Sequence, residues 1–144
     1  MFTRWSVAVV FLGAVFVSAD DTKGRKDNLE GTWKLTRVVN DGKEDPKAVG
    51  GRVEIRDGKI SGFDPENKQT FVISYRLNPD RKPSEIDMKI VEGKDRGRTA
   101  EGIYSLEGDT LKLCYSYAGG KRPREFKSAA GEQQICLEMK RDRK

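Results

Sequence analysis

Histidine is absent from all 144 residues, and that removes much chemistry at once. Ser-His-Asp and Cys-His catalysis need an imidazole to carry the proton, and ordinary zinc sites lean on imidazole nitrogens. Cysteine is nearly absent, with two residues, Cys114 and Cys136. Glycine pairs occur at Gly50-Gly51 and Gly119-Gly120, but neither has the Lys and Ser/Thr spacing of a phosphate-binding loop. Paired carboxylates for acid–base work are reduced to Glu85 and Asp87, two apart on the polar parity of one strand, where charge is ordinarily just solvated. Asp64, Glu66 and Asn67 are interrupted by Pro65 and match no calcium loop. The expectation is a protein that is not an enzyme, with no catalytic residue, no cofactor and no metal.

Charge of one sign is also scarce. The net charge is only +5, and the charges alternate in sign along the chain, which reads as a solvated surface. The locally basic runs are "RDRK" at the end and "GGKRPREFK" at 119–127, with Phe126 the one aromatic in the second. A nucleic-acid footprint wants a basic stripe with interleaved stacking rings. No nucleic-acid partner is expected.

The long apolar run is confined to the start. Arg4 gives one positive charge, Ser6 to Val17 is apolar apart from Ser6 and Gly13, and Val17-Ser18-Ala19 offers small residues at cleavage spacing. This is the pattern of a secretory signal peptide over 1–19. It is shorter than the roughly 20 apolar residues of a membrane span, and Asp20, Asp21 and Lys23 follow at once. The mature chain is therefore expected to be exported, periplasmic or extracellular, with no membrane insertion after cleavage. Residues 20–28 are polar and charged, a flexible leader.

From there on, apolar residues recur at every second position in short runs, and no window of helical length keeps a period near 3.6. Trp33, Leu35 and Val39 share one parity, followed by Val53 and Ile55. Asp57-Gly58, a two-residue hairpin signal, leads to Ile60. Phe71, Ile73, Tyr75 and Leu77 make the clearest strand; Ile86, Met88 and Ile90 the next; then Tyr104 and Leu106; Leu111, Leu113 and Tyr115; and Ile135, Leu137 and Met139. About eight strands joined mostly by tight turns predict an all-β, eight-stranded antiparallel up-and-down barrel over 29–141, because closure removes both sheet edges and covers the apolar face. An open β-sandwich is the alternative.

Gly31-x-Trp33 at the head of such a meander resembles the lipocalin and calycin pattern. That resemblance implies that Trp33 plugs the closed end of the barrel with a basic side chain from the last strand across its ring. Arg141, in phase with Leu137 and Met139, is the candidate. Downstream, "GIYSLEGDTLKLCYS" at 102–116, "KRPREF" at 121–126, "LEGTW" at 29–33 and "EID" at 85–87 are similar to a lipocalin-like domain family found mainly in planctomycete bacteria, often exported and of unknown function. The likeness spans roughly 28–141 and implies the fold but no activity.

Pairing the last two strands so that Tyr117 faces Gln133 places Cys114 opposite Cys136, both with outward parity. In an oxidising compartment the two should form a disulfide; two free thiols are the alternative.

Two features are candidates for binding. One is the barrel interior, lined by Tyr75, Tyr104 and Tyr115 among aliphatic residues. Eight strands leave a lumen either filled by side chains or just wide enough for one small ligand. The other is the connection from Ala118 to Glu132, long among short turns. Its Lys121, Arg122, Arg124 and Lys127 could receive an anion at the barrel mouth, with Phe126 as a lid. Two functions follow: a carrier of a small apolar or anionic ligand, or a structural or protein-interaction module of the cell envelope with a filled barrel. No particular protein partner is indicated.

Overall fold

The computed structural model describes residues 28–117 and 119–143. The expected signal peptide, and the leader up to residue 27, lie outside the described residues. Among the described residues nine strands form: β1 (Gly31–Asn40), β2 (Lys43–Glu44), β3 (Arg52–Arg56), β4 (Lys59–Phe63), β5 (Gln69–Asn78), β6 (Ser84–Glu92), β7 (Thr99–Glu107), β8 (Thr110–Ser116) and β9 (Gln134–Arg141). From β3 onward each strand pairs antiparallel with the next. β1 pairs with β3 on one side and with β9 on the other, from Trp33↔Arg141 to Asn40↔Ile135.

That last pairing closes the sheet, so the fold is an eight-stranded up-and-down barrel made of β1 and β3–β9, and not a sandwich. β2 is a two-residue arm folded back on β1, too short to leave a trace in the hydrophobic pattern.

The alternation of apolar and polar residues turns directly into inside and outside. Trp33 is wholly buried, and Ile55, Ile86, Leu111 and Met139 are within 2 % of it. Asp57 and Gly58 both take positive φ, 53° and 75°, the backbone of a two-residue hairpin whose twist matches its strands; β3 and β4 continue through it in register from Arg56↔Lys59.

One inward assignment needs correction. A bulge between Leu35 and Arg37 inserts a residue into β1, and an extra residue reverses the parity beyond it. Val38, opposite Leu137, is the buried residue at 5 % exposure, whereas Val39 faces outward beside Cys136. The interruption is confined to Thr36, whose hydroxyl donates to the Glu138 carbonyl at 3.1 Å.

Tyr117 and residues 119–133 form a strap between β8 and β9. Their ends are pinned: the Tyr117 N–H donates to the Gln133 carbonyl at 3.0 Å, and the Asp41 carboxylate accepts the N–H groups of Gly131 and Gln133 at 2.8 and 3.2 Å. The Ser128 hydroxyl donates to the Gln134 carbonyl and accepts the Gly42 N–H. Ala118, the expected start of this loop, lies outside the described residues.

Candidate functional site

The interior comes first. Fourteen side chains, Tyr104 and Tyr115 among them, surround a central cavity of about 30 Å³, room for two waters at most and almost entirely apolar. Drug-sized ligands occupy roughly 300 Å³ or more. The filling is explicit in the packing: the Phe71 ring lies where a Gly62 side chain would stand, 2.4 Å from that ideal Cβ. Tyr104 is 2 % exposed and part of the core cluster. Burial, with a smaller contribution from Tyr117, pushes the Tyr115 phenol up to about 12.

Tyr75 does not reach the cavity. It lines a surface groove at the Trp33 end, with Leu29, Glu30 and Pro79. Its phenol is raised, chiefly by burial and secondarily by the Glu30 carboxylate.

At that end Trp33 and Arg141 form a plug. The Trp33 indole N–H donates to the Leu29 carbonyl at 2.9 Å, and the Arg141 guanidinium carbon sits 4.3 Å from the centre of the Trp33 ring. Leu29, 2 % exposed, completes the closure; one apolar residue among polar neighbours carries no periodic signal, so nothing in the sequence marks it as more than a boundary.

The strap departs from expectation. It packs on the outer wall of the barrel, and Phe126 is 37 % exposed between two external grooves, one with Pro83 and Leu106 and the other with Cys114 and Lys127. It is not a lid in the barrel opening. Arg122 is committed as well. Its Nη1 donates to the carbonyls of Gly102 and Ile86 at 2.7 and 3.1 Å, and its Nη2 to Asp87 Oδ1 at 2.5 Å. Glu85 and Glu101 approach to 3.7 and 3.9 Å. With three of its five N–H donors hydrogen-bonded and three carboxylates gathered around its charge, this guanidinium is a latch for the strap, and the carboxylates repel any incoming anion. The same contacts give Glu85 and Asp87 a structural task. Arg124 and Lys121 stay on the rim of an outer groove floored by Ile103.

Beneath the strap, Cys114 and Cys136 are joined in a disulfide, their Cα atoms 4.1 Å apart. The hydrogen bond from Tyr117 to Gln133 sets the ladder phase, so the Cys114↔Cys136 pair falls at a non-hydrogen-bonded position, where opposed side chains come closest. Both face outward from the barrel, yet Cys114 is 1 % exposed because the strap covers it.

Comparison with protein families, with curated proteins and with solved structures finds no match to this chain. Among the described residues no three acidic or cysteine side chains are grouped to hold a metal ion.

Proposed function

We propose that this chain is an exported, non-enzymatic member of the planctomycete-type lipocalin-like family that works through its outer surface, as an interaction module of the cell envelope. The observation that carries this reading is the central cavity of about 30 Å³, a tenth of what a small-molecule carrier needs. The disulfide fits an oxidising compartment, and an outer wall carrying a latched strap and long grooves is where contact area is on offer.

Native mass spectrometry on the protein exported by its own host, compared before and after denaturation, tests the proposal. A bare polypeptide supports a filled barrel. A discrete mass excess that disappears on denaturation would overturn it and make the protein a carrier of a small apolar or anionic molecule, after an expansion of the lumen around Phe71 and Tyr115.

A further inference from the structure

The register of β9, β1 and β3 puts three cations in a row. Lys34 stands opposite Lys140 on one side and opposite Arg52 on the other. All three have outward parity, and strands lie about 4.8 Å apart, so three positive side chains leave the wall abreast across roughly 10 Å. Like charges directly opposite each other weaken a sheet. Only Arg52 has a carboxylate nearby, Glu54 at 3.6 Å; Glu138 lies 3.6 Å from Lys112 instead, and Lys34 and Lys140 have no ion-pair partner among the described residues. Arg52 is held in place, with its guanidinium carbon 4.3 Å from the centre of the Phe63 ring, and its buried Nε lacks a hydrogen-bond partner.

The surroundings carry the same sign. Outward positions of β8, β9, β1, β3 and β4 hold seven Lys and Arg, of which Arg37 is paired with Glu44 of β2, against Glu54 and Glu138, whereas those of β5, β6 and β7 hold Arg76 and Lys89 against Glu85, Asp87, Glu92, Glu101 and Glu107. One wall of the barrel is thus basic, whereas on the other Arg122 of the strap sits among Glu85, Asp87 and Glu101.

We propose that the basic wall binds an anionic polysaccharide bearing sulfate or phosphate groups, with Lys34, Lys140 and Arg52 as its central contacts. Sheet-destabilising repulsion is relieved when oxyanions sit between the three cations, so the row is a binding surface held at a small cost in stability. A single-stranded nucleic acid is the less suitable polyanion, because it needs free aromatic rings on which to stack bases. Phe63, the one aromatic at these outward positions, has its face covered by Arg52. This inference rests on the surface-interaction reading and names its partner class.

Heparin titrated into the full-length exported protein, at low and at moderate salt, is the test. The double variant Lys34→Gln/Lys140→Gln should lose roughly tenfold in affinity, while Lys89→Gln/Lys94→Gln, equal in charge but away from the row, should stay within about twofold. The free Lys34→Gln/Lys140→Gln protein should also melt higher than wild type, since the repulsion is gone, and should gain less on adding heparin. Equal losses in both double variants would reduce the effect to net charge and overturn the proposal, as would failure of wild type to bind heparin. A charge-matched single-stranded oligonucleotide binding as tightly as heparin, with the same loss in Lys34→Gln/Lys140→Gln, would overturn the choice of polysaccharide. The titration reports on the wall and native mass spectrometry on the lumen, so the two readings fail separately.

Discussion

Arg141 closes the barrel over Trp33: its guanidinium stacks 4.3 Å from the centre of the indole ring and its Nη1 donates to the Glu30 carbonyl at 2.7 Å. One side chain thus ties the last strand, the first strand and the residues leading into it. Replacing Arg141 by Ala removes the cation–π contact and leaves the Glu30 carbonyl without this donor, a loss of about 1–3 kcal/mol. Arg141→Lys should lose less, keeping the charge but not the planar fork. Gly31→Ala should match or exceed the Ala variant, because φ is 137° and the new Cβ would stand 2.7 Å from Arg141 Nη1. Chemical denaturation midpoints rank the three; an Arg141→Ala protein as stable as wild type would remove the residue from any role in closure.

Why the Trp33–Arg141 pair was legible in the sequence, and the strap was not, follows from range. Gly31, Trp33 and the in-phase Arg141 are fixed by period-two alternation on two strands, and alternation survives folding unless a bulge intervenes, as it does at Thr36. The Cys114–Cys136 pair was legible for the same reason, since register propagates along a hairpin. The strap carries no period, so nothing local told whether Arg122 would meet an anion or the carboxylates of β6 and β7. The cationic row was hidden by the opposite effect. Lys34 sits among neutral neighbours in sequence, and the charge alternation that read as an evenly solvated surface became a basic wall only when Arg52 and Lys140 were brought beside it from elsewhere in the chain.

The disulfide should show as a mass two hydrogens below the reduced polypeptide, with no alkylation until reductant is present. Cys114 and Cys136 are 22 residues apart, and loss of that closure costs about 3 kcal/mol by chain entropy. Cys114→Ser/Cys136→Ser should therefore unfold at markedly lower denaturant while keeping its far-ultraviolet circular dichroism. Rapid alkylation of both thiols in the native protein without reductant would disprove the bond.

The latch at Arg122 makes a different prediction. Arg122→Ala removes the donors to Asp87, Ile86 and Gly102, but the β6–β7 ladder beneath remains. The cost in global stability should be about 1–3 kcal/mol, and the larger effect should be local. Exposed Arg124 and Lys127 should become faster tryptic sites, and amides of 119–132 should exchange faster, with those of β6 and β7 little changed. If cleavage and exchange in 119–132 match wild type, the strap is held by its contacts to Ser116, Ser128 and Asp41 and Arg122 is not its latch.

The lumen supplies the last prediction through Tyr115. Its phenol is pushed up to about 12 in the folded protein by burial, against an ordinary value near 10 in the unfolded chain. Between those values the unfolded chain has released a proton that the folded one still holds. Stability is thus complete below pH 10 and falls as pH rises toward 12, by an amount of order 2–3 kcal/mol at the top of the window. Tyr115→Phe should flatten that fall, and tyrosinate absorbance of the native protein should show a phenol titrating near pH 12 that Tyr115→Phe lacks. A solvent-filled or ligand-sized lumen would hydrate the Tyr115 hydroxyl and return its titration to the ordinary range. A normal Tyr115 titration in the folded protein would therefore count against the dry, filled barrel as directly as a bound ligand would.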